Sequence, residues 1–128
     1  MKDHTAKALA RSKQALAKAR KLLELEMFDI AGRQAYIASL TAARALIYER
    51  TGRASKTHKG VKTVMHQLVR EGLPINRSLL VSLEYGFELK TTADYGESER
   101  ISITEAEKAL ELAGHFVAGI ERLISVGD

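Results

Sequence analysis

Four histidines are the side chains of this 128-residue sequence that titrate near neutral pH unaided, and one of them has chemistry-bearing neighbours. His58 closes the run Arg53-Ala54-Ser55-Lys56-Thr57-His58, and Lys59 and Lys62 follow it. If a helix starts at Thr57, its free N–H groups and positive dipole end attract phosphate and favour a neutral, base-competent imidazole. Arg53 offers a permanently charged fork to a phosphate oxygen, and Lys56, Lys59 and Lys62 are candidate RNA phosphate contacts. Arg and His without a metal suffice in principle for RNA transesterification. One imidazole takes the 2′-OH proton, another protonates the leaving oxygen, and guanidinium stabilises the charge growing on phosphorus. DNA lacks the 2′-OH and could not be cut this way. By spacing alone, Arg-x-x-x-x-His is a weak pattern that chance also produces.

The other histidines invite less. His4 lies at a terminus expected to fray, and His66 and His115 flank packing stripes, where a structural or surface role is expected. No two histidines stand at His-x-x-x-His spacing and no carboxylate cluster surrounds one, so neither a metal site nor a cofactor is expected. Cysteine is absent, which removes disulfides, thiolate metal sites and cysteine nucleophiles.

Charge is unevenly spread. Residues 1–70 carry 15 Lys/Arg against 5 Asp/Glu, a balance of +10, whereas residues 71–128 carry 5 against 11, a balance of −6. Such asymmetry suggests a side that faces a polyanion, although a solvated basic helix would look the same. No apolar run approaches the ~20 residues of a membrane span, and the first residues lack a signal-peptide core, so a soluble cytoplasmic protein is expected.

The elements that must position these residues read as helices throughout. Lys2 to about Glu26 places Leu9, Ser12, Leu16, Ala19 and Leu23 on one narrow face. Asp29 is expected to cap a second helix to about Arg50, rich in small residues (Ala31, Gly32, Ala35, Ala38, Ser39, Ala42, Ala43) and suited to the centre of a bundle. Gly52 stops it. Thr57 is the expected N-cap of a third helix with Val61, Val64, Met65 and Leu68 as its apolar set, ended by Gly72 and Pro74. A fourth begins near Asn76, residues 91–102 read as a polar loop, and Thr104 with Glu107 reads as the capping box of a fifth. Together these predict a single all-α domain, 1–128, folded as an up-and-down bundle of about five helices.

Three segments, in order, carry a resemblance: Tyr36…Ala42-Ala43-Arg44-Ala45-Leu46, Gly52-Arg53…Lys56-Thr57-His58-Lys59-Gly60-Val61, and Thr92-Ala93-Asp94-Tyr95-Gly96. The chain resembles the HEPN domain family over nearly its whole length, and most of all its small stand-alone members. Arg53 to His58 matches that family's Arg-x(4–6)-His motif, and Ala93-Asp94-Tyr95 its acidic-Tyr loop. The resemblance implies a bundle that dimerises through long central helices, bringing two Arg-x-His loops together. It also implies a metal-independent endoribonuclease with Arg53 and His58 as the catalytic pair, often a toxin encoded beside a minimal nucleotidyltransferase antitoxin. The alternative is a non-catalytic module that binds RNA or nucleotide, or partners a nucleotidyltransferase.

The match has departures. Ala54 replaces a polar residue common after the motif Arg, Gly60 stands where some toxins carry a modifiable Tyr, and Lys90 replaces an Arg. Asp94 and Tyr95 are expected to support the loop structurally. A homodimer is further expected because the small-residue face of the second helix has no evident use within one chain. His58, at a loop edge, is expected to carry little core, so that His58→Ala leaves the fold intact.

Overall fold

The computed structural model describes residues 1–95 and 100–126; the side chains at 93–95 and 126 lie outside that description. Five helices follow one another: α1 (Asp3–Glu24), α2 (Phe28–Thr51), α3 (His58–Arg70), α4 (Arg77–Tyr95) and α5 (Ile103–Val126). There is no strand among the described residues. Among the described residues no helix is long and apolar enough to cross a membrane.

Helix α2 is the axis, and α1, α3, α4 and α5 all pack against it. Its small residues Ala31, Gly32, Ala35, Ala38, Ser39, Ala42 and Ala43 are all buried, because four neighbours converge on them and only short side chains leave room. The small-residue face is therefore used up inside one chain and gives no separate reason for a dimer. Around it lie Leu16, Leu46, Ile47, Met65, Phe116 and Ile120, all buried. Ser12 keeps its place in the apolar stripe of α1 by donating its hydroxyl to the Ala38 carbonyl at 2.7 Å.

Local signals set most ends, with three departures. Gly52 closes α2 in the left-handed region at φ 71°, which a Cβ would oppose. Asp29 does not cap α2, whose N-cap is Met27 without a side-chain bond. The Asp29 carboxylate instead accepts the Ile101 N–H at 2.9 Å, fastening the approach to α5 onto the start of α2. Helix α4 runs on through Tyr95 rather than yielding to a loop at 91, since Thr91 and Thr92 return their hydroxyls to the Phe87 and Glu88 carbonyls within the helix. The capping box lies two residues earlier than Thr104–Glu107: Ser102 Oγ accepts from the Glu105 N–H at 3.1 Å, and Glu105 Oε1 from the Ser102 N–H at 3.0 Å. Starting there leaves Ile101 buried just outside the cap, whereas Thr104 as cap would put exposed Ile103 in that place.

Candidate active site

His58 sits where three helices meet. Thr57 caps α3, its hydroxyl oxygen accepting the Gly60 N–H at 2.9 Å, and so sets the first turn. From that turn the imidazole lies between α2 and α4, with its side chain 14% exposed. Nε2 is 2.8 Å from Glu84 Oε1 of α4, and Nδ1 is 2.8 Å from the Tyr36 hydroxyl of α2. One ring face stacks on Phe87, centroids 3.9 Å apart and planes 10° from parallel. Gly86 eases this approach: a Cβ there would lie 3.2 Å from the Tyr36 ring, so a side chain at that point would require the ring to give by a few tenths of an ångström.

The charges fix the protons. Burial pushes the Glu84 carboxyl up, but its bonds to His58 and to Lys62, 3.3 Å away, outweigh this and hold it below the ordinary range. A carboxylate only accepts, so Nε2 points a proton at Glu84, while Nδ1 pairs with the Tyr36 hydroxyl, which can give or accept. Burial pushes the Tyr36 phenol up to about 12, opposed by the Arg44 guanidinium and assisted by Glu84. Tyr36 thus keeps its proton at neutral pH and orients the ring. His58 consequently fastens α3 to two helices, which corrects the expectation that it carries little of the core.

Of the remaining expected residues, Lys62 joins it and the others do not gather there. Arg53 is exposed and lines a cleft with Ile47, Val64, Gln67, Leu68 and Glu71, on a different side of α3 from the His58 contacts. No hydrogen bond or ion pair joins it to His58 among the described residues. Lys62 belongs to the His58 cluster through Glu84, Lys59 is exposed, and Lys56 lines a second cleft beside α1. Asp94 and Tyr95 have backbone in the last turn of α4, not in a loop, and their side chains lie outside the described residues. Gly60 faces its own loop: a Cβ would stand 3.0 Å from Thr57 Oγ1 and 3.2 Å from Ser55 Oγ, so a side chain there would press on the two hydroxyls, one of which caps α3. His66 is exposed, and exposed His115 lies 3.9 Å from Glu111. His4 is ordered in the first turn of α1, its ring 4.2 Å from that of Tyr48, rather than frayed. No group of three or more His, Asp or Glu that could hold a metal ion occurs among the described residues.

A model of the HEPN domain matches residues 5–123, nearly the whole chain. The chain belongs to the HEPN domain family. Its fold is similar to that of TT1696 from Thermus thermophilus, a crystal structure with a TM-score of 0.78 at 20% identity, covering 95% of this chain and 99% of that one. At that identity the likeness concerns the fold alone. No curated protein matches.

In this HEPN domain the residues nearest the motif histidine come from far along the chain. Tyr36, Glu84 and Phe87 lie 22, 26 and 29 positions from it; Tyr36 stood in the resemblance and Phe87 in the apolar stripe of the fourth helix, and Glu84 alone had no role in the sequence pattern. Arg44 was visible only inside the resemblance. Its Nη2 donates to the Lys56 carbonyl and so holds the loop leading to His58.

Proposed function

We propose that this HEPN domain is a metal-independent endoribonuclease that cuts RNA by 2′-OH transesterification. The observation that carries this reading is the imidazole oriented by a carboxylate at 2.8 Å, at the end of a loop bearing Arg53 and Lys56 and next to Lys59 in the first turn of α3. Nε2 is the nitrogen on the more open side, since its partner Glu84 has a side chain 36% exposed while Tyr36 is buried. When RNA takes the place of Glu84, Nδ1–H can donate to the Tyr36 oxygen, which both gives and accepts, and Nε2 is left with its lone pair. Nε2 then removes the 2′-OH proton, the 2′-oxygen attacks phosphorus, and the bond to the 5′-oxygen breaks. A second imidazolium protonates that leaving oxygen, giving a 2′,3′-cyclic phosphate and a 5′-hydroxyl.

One chain supplies one such histidine, and its Arg53 opens elsewhere. The reading therefore includes a homodimer in which Arg53 of one copy serves His58 of the other. It also includes a cytoplasmic toxin held in check by a minimal nucleotidyltransferase, a partnership that rests on the family resemblance. A second reading, a non-catalytic RNA- or nucleotide-binding or partner module, is favoured by the occupation of both ring nitrogens in the free chain.

Cleavage of RNA in EDTA, with the end groups identified, separates the two. Products ending in 2′,3′-cyclic phosphate, and resistance of a 2′-O-methyl substrate, support the nuclease. Excess inactive His58→Gln protein mixed with the wild type should suppress cleavage if each site draws on two copies, because a mixed dimer then lacks one of the two imidazoles. Absence of EDTA-resistant cleavage of any cellular RNA by the wild type, with or without a neighbouring nucleotidyltransferase, would leave the binding module.

A further inference from the structure

Helices α3 and α4 form a hairpin that stays open along part of its length. Helix α3 packs on α2 and scarcely on α4. Glu84 ties the two together at one end by taking both His58 and Lys62. One turn further on, a cavity of about 360 Å³ opens between them, lined by His66, Val69, Arg70, Arg77, Leu80 and Val81. Its apolar part is incompletely covered: Val69 and Leu80 are half-buried, and Val81, 65% exposed, is the most exposed large apolar side chain among the described residues. Its polar part is cationic, and no carboxylate contributes to the lining. Arg70 and Arg77 are exposed and enter no hydrogen bond or ion pair among the described residues. The nearest acids are engaged elsewhere, Glu84 with His58 and Lys62, and Glu71 with the Gln67 amide at 3.2 Å in the Arg53 cleft. Arg77 also stands in the first turn of α4, where no acid offsets the positive end of the helix and a cation is disfavoured until an anion arrives.

We propose that this groove docks an acidic amphipathic helix of a protein partner. A single exposed valine is ordinary, but apolar side chains rimmed by unpaired charge of one sign mark a surface for a complementary partner. Apolar anchors one turn apart on the incoming helix would cover Val69, Leu80 and Val81, as in other helix-in-groove contacts. Carboxylates beside those anchors would meet the forks of Arg70 and Arg77, which grip them in two-point fashion, and the ring N–H of His66. The charge match also fixes which way the helix lies and speeds its arrival. A nucleic-acid strand fits less well, because no Phe, Tyr or Trp lines the groove for a base to stack on. A second copy docked through this same groove about a twofold axis would set one pair of uncompensated arginines against another. The groove is complete in one chain, so the proposal stands whether or not the protein cuts RNA.

The test is an NMR titration of the full chain, followed at the methyl groups of Leu80 and Val81. The probe is a helical peptide of about 16 residues with Leu at i, i+3, i+4 and i+7 and Glu at the flanking positions. Its controls are the same peptide with Lys for Glu, the same with Ser for Leu, and a short single-stranded RNA. The Glu–Leu peptide should shift the methyl signals to saturation, and none of the controls should. Arg70→Gln with Arg77→Gln should weaken its binding by about tenfold or more, as loss of two charge-assisted contacts requires. Lys18→Gln with Lys21→Gln, which removes two exposed charges from α1, should leave it unchanged and so separates the groove from the general basicity of the chain. Arg70→Glu with Arg77→Glu should transfer the preference to the Lys peptide. Equal losses from the α1 pair and the groove pair, or methyl shifts with RNA and none with the Glu–Leu peptide, would overturn the proposal. So would sedimentation showing self-association that Val81→Ser abolishes, since a second copy would then own the groove.

Discussion

Glu84 Oε1 lies 2.8 Å from His58 Nε2, and through this contact a residue of α4 holds a proton on that nitrogen of an α3 imidazole. The same carboxylate takes Lys62 at 3.3 Å, so one acid anchors the entry of α3 onto α4. Its folded pKa is depressed, and the stability it contributes is therefore present above the ordinary carboxylate pKa and lost as pH falls through the lower folded value. Urea midpoints measured down the acid limb should fall more steeply for the wild type than for Glu84→Gln. Glu49, also depressed by its bond to the Lys2 N–H, will keep part of that slope in the variant. Parallel acid limbs in the two proteins would show that Glu84 contributes nothing.

Tyr36→Phe deletes the hydroxyl bound to Nδ1 and leaves the ring 5.8 Å from Phe87 in place. A loss of about 1 kcal/mol in unfolding free energy is expected, with an unchanged helical spectrum. His58→Ala should cost more, about 2–4 kcal/mol, because it removes the stacked ring and leaves the buried Tyr36 hydroxyl without its partner, while Glu84 keeps Lys62. A merely inactive but fully stable His58→Ala protein would contradict the packing described.

Gly86→Val tests the close approach of α4 to α2. Its side chain would meet the Tyr36 ring and press towards the backbone behind it. Destabilisation of about 1–3 kcal/mol is expected from overpacking, although glycine itself is a poor helix former. A Gly86→Val protein as stable as the wild type in urea would mean that the two helices separate at little cost.

Two paired substitutions locate the start of α5. Ser102→Ala should lose about 1 kcal/mol, as removal of an N-cap does, and Thr104→Ala much less. Thermal unfolding of the two variants under one condition settles the order, and the reverse order would restore Thr104 as the cap.

RNA affinity, wherever the strand lies, should fall linearly on a log–log plot against salt if basic residues release counterions. Lys56→Glu and Lys59→Glu should weaken binding alike across RNA sequences, which titrations at several salt concentrations will read. Salt-insensitive binding would reduce the +10 balance of residues 1–70 to solvation.

Five helices and their apolar stripes could be read from the sequence because helical periodicity and glycine or threonine end signals are local. Thr57 and Gly52 act where their residue types predicted. Local chemistry was ambiguous where one pattern fitted twice: Ser102-x-x-Glu105 and Thr104-x-x-Glu107 are equivalent as strings, and burial of Ile101 selects the first. The Arg53–His58 motif was likewise legible, but not where each side chain would point. Contact of His58 with Tyr36, Glu84 and Phe87 depends on how α2 and α4 cross, and that crossing is eased by the missing Cβ of Gly86. The small residues of α2 show the same division. Their composition determined that other helices could come close, and only tertiary packing decided that those helices belong to the same chain, because four neighbours fill that space before a second copy can reach it.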